Sequence, residues 1–251
     1  MDGDFVGCVA PTAHAARKGV AALAETATWS SEPHTDSADL FAHLQETATA
    51  SEGCRSRGTV EGSTERALAD AAQTVEATYE VAYIQHVPME PRAAVAEWTG
   101  ESVTVWTGSQ VPTRVREHLT DAFDLPTDRV RVIVPDTGGG FGGKHSGETA
   151  VEAARLAKAV GVPVWPRWTR EEEFTWAYFR PAAVVRGRGG LDADGALTAW
   201  EFDTINAVGP ALGTPYDVPN VTTRSLNADG PLRQGHTARW GPRRTCSRAN
   251  P

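Results

Sequence analysis

Cysteine is scarce: Cys8, Cys54 and Cys246 are widely spaced and form no C-x-x-C pair. Neither an iron–sulfur cluster nor a zinc site can be assembled from them, and the reduced thiols of a cytoplasmic protein are expected. Long apolar runs are missing as well, and Met1 is followed at once by Asp2 and Asp4 instead of a basic and then apolar leader. No stretch is long enough to cross a bilayer, and nothing reads as an export signal, although a longer form of the protein could be periplasmic. The third absence is positive charge. With 24 Lys and Arg against 32 Asp and Glu the net charge is −8, which argues against non-specific nucleic-acid binding and against an anionic membrane surface. A small neutral substrate or a protein partner is expected instead. The 251 residues, 40% hydrophobic and 22% charged, suffice to bury a core or two.

Glycine, by contrast, is concentrated. Alternating Val130, Val132 and Val134 describe a short strand stopped by Pro135 and Asp136; Gly138 to Gly143 are then all glycine except Phe141. From Gly147 onward, Ala150, Val151, Ala154, Leu156 and Ala157 recur at helical spacing. A glycine loop between a strand and a helix lets backbone N–H groups approach an anion or a planar ring closely. Gly138, Gly140 and Gly143 satisfy the dinucleotide pattern, but the chain about 20 residues on reads VPVWPRW and has no acid for a ribose. Gly138, Gly143 and Lys144 satisfy the phosphate-loop pattern, with His145 in place of the magnesium-binding hydroxyl. A glycine-rich turn without a ligand is the bland alternative, and Phe141 at the loop's tip speaks against it.

Elsewhere the pattern predicts a strand over 5–10 and a helix capped by Thr12 that runs to Ala27 with Val20, Leu23 and Ala24 inward. Residues 30–62 read as a surface connection with one short helix at 39–44. A helix over 63–72 precedes a strand over 74–84, with Val75, Ala77, Tyr79, Val81 and Tyr83 on one face. Pro88 and Pro91 make QHVPMEP a rigid turn and not a helical metal site for His86 and Glu90. A hairpin over 93–106 turns at Thr99 and Gly100, and Pro112 starts a helix to Phe123. After the loop, a helix over 147–160 ends at Gly161, and a strand covers 162–168. Thr169 and Glu172 form a capping box, so Glu171 to Glu173 read as a helix start, with paired catalytic carboxylates as the sharper alternative. Strands over 182–190 and 196–206 pair across the DADG turn, and Trp165, Trp168, Trp176 and Trp200 are expected to pack on this sheet.

GGGFGGK, preceded by Thr107 to Gln110 and by His86, Met89, Glu90 and Pro91, resembles the molybdenum-binding subunit of the xanthine dehydrogenase and aldehyde oxidase family, closest to the bacterial isoquinoline 1-oxidoreductase type. The resemblance runs from about Asp2 to Gly235 and implies an α+β molybdopterin-binding fold. It divides the chain into the end of a preceding α/β segment with a connection (1–62), the N-terminal part of the molybdopterin-binding domain (63–235) and a tail (236–251). It implies that Gln110, Gly139, Gly140, Phe141 and Gly142 line a molybdenum–molybdopterin cofactor, expected in its cytosine dinucleotide form. Gln110 would donate a hydrogen bond to an oxygen ligand of the metal without binding the metal itself. Phe141 and His145 would face the substrate. Purine-oxidising members carry a Glu where His145 stands, and a neutral imidazole cannot replace an acceptor-only carboxylate, so N-heteroaromatic or aldehyde substrates are expected. Electrons would pass to a [2Fe–2S] small subunit, with water as the oxygen source.

Past Gly235 the resemblance fails. The last sixteen residues hold four Arg and no acid. GC-rich codons exist for them whose neighbouring frame spells Ser-Tyr-Arg-Ala-Leu-Gly-Ala-Thr-Ala-Asn-Val-Phe-Ala-Arg-Glu-Ser, the family's usual continuation. A frame slip near Gly235 is therefore expected. The family's general-base carboxylate would belong to the missing C-terminal half, so no catalytic residue is assigned and the isolated chain is expected to be inactive. The remaining alternatives are a nucleotide-binding protein that uses Lys144 and a non-catalytic assembly fragment that docks through its sheet edges.

Overall fold

The computed structural model describes residues 5–30, 33–50, 58–207 and 212–235. The expected out-of-frame tail, Cys54 and Cys246 lie outside these residues. Six α-helices occur among them: α1 Ala13–Thr26, α2 Leu40–Glu46, α3 Thr64–Ala69, α4 Pro112–Phe123, α5 Glu148–Val160 and α6 Arg170–Trp176. The strands are β1 Thr49–Ala50, β2 Thr59–Glu61, β3 Gln73–Val81, β4 Ala94–Thr99, β5 Ser102–Thr107, β6 Val130–Ile133, β7 Ala183–Leu191, β8 Leu197–Ile205 and β9 Asn220–Asn227. The α+β expectation holds. The described residues fall into two compact units, one from 5–30 and 85–178, the other from 33–84 and 179–235.

In the first unit β4 and β5 form the expected hairpin, and β6 lies parallel to β5, with Val103 opposite Val130 and Val105 opposite Val132. Alternation decides what these strands bury: Val103 and Val105 turn inward onto Val115 and Leu119 of α4 and onto Ala150, Ala153, Ala154 and Ala157 of α5. The small side chains of α5 let that helix lie close to the sheet, and each fully buried Val or Leu contributes about 1.5–3 kcal/mol. Pro112 starts α4 where no N–H is needed, and Gly161 ends α5 with a φ of 70°, the left-handed conformation glycine adopts without cost. At the end of β6, the loop of 138–147 carries the chain to α5, and this connection holds the site.

In the second unit the sheet order is β1-β9-β8-β7-β3, with β2 also on β9; β8 and β9 are parallel and β7–β8 is the expected hairpin. Leu44 of α2, fully buried, packs with Ala182, Val184 and Ile205. Of residues 30–62, expected to be a surface connection with one short helix at 39–44, the helix is present as α2 and reaches the core, and 49–50 and 59–61 add two strand segments that were not expected. Their apolar content is low because β1 and β2 are stabilised by backbone pairing to β9 more than by burial.

Four other expectations change. Residues 5–10 form no strand beyond a bridge residue at Phe5. Thr12 does cap α1, accepting from Ala15 N–H, but no residue of α1 is buried: Val20 and Leu23 are exposed because nothing among the described residues covers them. Residues 162–168 make only isolated bridges at Val164 and Arg167, since Pro163 and Pro166 have no N–H to donate. On β3 the alternation is real, but the strand lies at the sheet edge and leaves Val75 and Tyr79 exposed.

Candidate functional site

Everything assembled at the site belongs to the first unit, on the loop that follows β6. The loop has almost no backbone pairing of its own, apart from Gly143 N–H to Gly140 C=O at 2.6 Å. Side chains from three other segments hold it instead. Gln110, just after β5, accepts through Oε1 from Gly142 N–H at 3.0 Å and from Lys144 N–H at 3.2 Å, while its own N–H donates to Lys144 C=O at 2.9 Å. Glu90 Oε2 accepts from Gly138 N–H at 3.0 Å and from the Lys144 ammonium at 2.6 Å. Tyr178 donates to Gly142 C=O at 2.5 Å and accepts from His145 N–H at 2.9 Å.

The glycines are required by this contact. A Cβ on Gly140 would come within 2.5 Å of Gln110 Oε1, and one on Gly138 within 2.8 Å of Glu90 Cβ. Phe141 takes a positive φ of 52°, a conformation worth about 1–3 kcal/mol of strain for a non-glycine residue, and stands 59% exposed at the tip. Gly139, Phe141 and Gly142 take positive φ values of 83°, 52° and 94° around Gly140. Among the described residues, the N–H groups of Gly139, Gly140 and Phe141 meet no acceptor. They form a donor cradle suited to anionic or carbonyl oxygens, next to exposed Gln110.

The predicted residues Gln110, Gly139, Gly140, Phe141 and Gly142 are thus gathered in one place, with His145 held to the same framework through its backbone. The phosphate-loop alternative is corrected by burial: Lys144 is 2% exposed, and its ammonium is spent on Glu90 beneath the loop. The QHVPMEP segment is the irregular turn expected. Burial works to raise the Glu90 carboxyl, but the Lys144 hydrogen bond, the Gly138 N–H and the Lys144 charge outweigh it and hold the group below its ordinary value. The Tyr178 hydroxyl is pushed up, chiefly by burial.

Three residues of the framework had no signal in the sequence. Glu173, read as part of a helix start, is fully buried; the capping box of Thr169 and Glu172 is present, but Glu173 binds Arg92 instead of solvent. Arg92, 4% exposed, also donates to Gly143 C=O and lies 5.4 Å from the ring centres of Trp168 and Tyr178. Trp168, expected to pack on the β7–β8 sheet, is buried here beside Arg92 of its own unit, while Trp165 and Trp176 are exposed. An arginine in a Pro-containing turn and one glutamate of three give no periodic hint of this pairing. No group of three or more His, Cys, Asp or Glu among the described residues could hold a metal ion, and no described helix is long and apolar enough to cross a membrane.

Residues 46–232 match the family model described as the molybdopterin cofactor-binding domain. The chain is 36% identical over 155 residues to the aldehyde oxidoreductase molybdenum-binding subunit PaoC of Escherichia coli, covering 61% of this chain and 21% of that protein. It is 31% identical over 175 residues to the nicotinate dehydrogenase large molybdopterin subunit of Eubacterium barkeri, covering 64% of this chain and 41% of that one. The chain thus spans about a fifth to two fifths of these relatives' length. Quinoline 2-oxidoreductase from Pseudomonas putida 86 superposes with a TM-score of 0.68 at 24% identity, covering 84% of this chain and 30% of that one. For CO dehydrogenase from Oligotropha carboxidovorans the TM-score is 0.70 at 19% identity, covering 88% and 32%. These two likenesses establish the fold. With the family model matched over most of its length, the chain belongs to the molybdopterin cofactor-binding domain family of the molybdenum-binding subunits of aldehyde oxidoreductases and xanthine dehydrogenases.

Proposed function

We propose that the loop and Gln110 hold the pterin side of the molybdenum cofactor, and that the protein to which this segment belongs hydroxylates a small N-heteroaromatic or aldehyde substrate. The observation that carries the proposal is the orientation of one amide. Gln110 Oε1 is occupied by two loop N–H groups, so Nε2, with no acceptor among the described residues, remains as a donor on the exposed side. The N–H groups of Gly139, Gly140 and Phe141, without an acceptor among the described residues, lie on the same loop and suit the oxygens of a pterin pyrophosphate, expected here in the cytosine dinucleotide form. When bound, the molybdenum–pterin group supplies the two-electron redox chemistry, with water as the oxygen source.

The chain's own residues orient and exclude. Gln110 Nε2 would donate to a cofactor oxygen, and the loop would keep the cofactor in one pose without reorganising. Phe141 offers an apolar wall to a flat ring, and His145 favours substrates that need no carboxylate acceptor. The names of the relatives, an aldehyde oxidoreductase and a nicotinate dehydrogenase, support both substrate classes. Electrons would leave through a [2Fe–2S] partner subunit, and no residue of this chain is given the proton-accepting role. The test is to load the purified chain with molybdopterin and measure bound pterin by fluorescence. Retention by the wild-type chain, lost in Gln110→Ala, is expected; equal retention by both would refute the reading. Substrate-dependent dye reduction by the isolated chain is not expected.

A further inference from the structure

In a trans peptide the C=O of one residue and the N–H of the next point in opposite directions across one rigid plane. The peptide joining Gly143 to Lys144 is gripped on both edges. Its C=O accepts from Arg92 Nη2, and its N–H donates to Gln110 Oε1 at 3.2 Å. Any rotation of this plane that frees the guanidinium also withdraws one of the two N–H groups that hold the Gln110 amide, leaving it on Gly142 N–H alone. We propose that Arg92, locked by Glu173, is a positioning residue for Gln110: it sets the plane of the 143–144 peptide and through it the direction in which Gln110 Nε2 presents its hydrogens. The proposal rests on the cofactor-holding reading of Gln110 above.

Burial is what separates this role from ordinary packing. Glu173 is fully buried and Arg92 is 4% exposed, and an apolar pair of similar volume usually holds a core as well as a buried ion pair does. An apolar pair cannot donate to Gly143 C=O. The arginine is also held by its backbone and by both terminal nitrogens. Glu173 takes Nη1 with one oxygen and the Arg92 backbone N–H with the other, at 2.8 Å; Glu148 approaches Nε at 3.6 Å. Two aromatic rings flank the guanidinium, and Trp168 N–H anchors the Arg92 C=O at 2.9 Å. A planar fork fits this arrangement, whereas the point charge of a lysine would not span Glu173 and Gly143 together. Tyr178 fixes the neighbouring peptides on both flanks, so the 143–144 plane is the one whose orientation depends on Arg92.

The test replaces both charges at once, Arg92→Met with Glu173→Leu, in the full chain, so that neither member of the buried pair is left as an unpaired charge; Glu148 keeps its Ser146 hydroxyl. The melting transition is expected to stay cooperative. The Lys144 amide should lose hydrogen-exchange protection by on the order of tenfold or more, the two Gln110 side-chain amide protons should shift, and molybdopterin affinity should fall by roughly 10- to 100-fold. A folded double variant with wild-type Lys144 protection and wild-type Gln110 amide shifts would overturn the proposal. Should that variant fail to fold, Glu173→Gln keeps the shape and weakens the grip; a partial loss of the same two signals is expected, and unchanged signals would count against the idea. Both amide readouts need no cofactor. A wild-type chain that binds no molybdopterin would therefore defeat the proposed function while leaving this proposal to be decided by the amides.

Discussion

In the unit built on the six-stranded sheet, Arg188 and Arg224 bridge Glu76, Glu201 and Asp203 across neighbouring strands while remaining about half exposed. In the loop unit, Arg92 and Glu173 meet with almost no solvent contact. The same chemical pair has different consequences in the two places. On the sheet the backbone ladder already dictates where every strand lies, so the charges add to a structure that would stand without them. Beneath the loop there is no ladder, and the orientation of each peptide from Gly142 to His145 is handed to a side chain.

The largest test of this contrast is Arg92→Met alone, which strands the Glu173 carboxylate in the core and should cost about 3–5 kcal/mol in urea unfolding. A loss below about 1 kcal/mol would erase the distinction between the two kinds of pair. Next comes Gly140→Ala. Its methyl would press on Gln110 Oε1, and overpacking of this kind costs about 1–3 kcal/mol. The chain should stay folded yet retain no pterin; retention at the wild-type level would mean the loop is looser than its contacts imply. Thr169→Ala removes the cap of α6 and should cost about 1 kcal/mol in the same unfolding assay, with some loss of Lys144 amide protection transmitted through Glu173. On the sheet, Arg188→Ala should change stability by less than about 1 kcal/mol, an effect that salt reduces further.

Acid should produce the smallest change. The Glu90 carboxyl is held below its ordinary value of 4.5 in the folded chain. Its contribution is present above that ordinary value and is lost as pH falls through the lower, folded value. Because Glu90 is 43% exposed the effect is screened. It should appear as faster Gly138 amide exchange, corrected for intrinsic rates, at acid pH, and Glu90→Gln should abolish that pH dependence.

Much of the fold was legible because local chemistry decides it. The strand, glycine loop and helix at 130–160, the hairpin at Thr99 and Gly100, the capping box and the DADG turn all follow from periodicity and from residues with restricted or permissive backbones. Those rules failed where pairing partners set the outcome. Residues 162–168 have the apolar content of a strand but lack the donors, and 49–50 and 59–61 look like linker yet pair with β9. The amphipathic pattern of α1 was read correctly as a helix, while the burial it suggested depends on a neighbour that no local pattern can name.

For the site, the composition of the loop, the presence of Gln110 and the family resemblance all came from residue order, because glycine density and short motifs survive as one-dimensional signals. Which groups face which did not. Lys144 matches a phosphate-binding lysine by spacing, and only its burial against Glu90 removes it from that role. Arg92, Glu173 and Tyr178 come from segments as much as 86 residues apart and acquire their purpose from a shared desolvated volume, where one unpaired charge would be too costly to keep. That cost depends on three-dimensional neighbours alone, so it was decided by the tertiary structure.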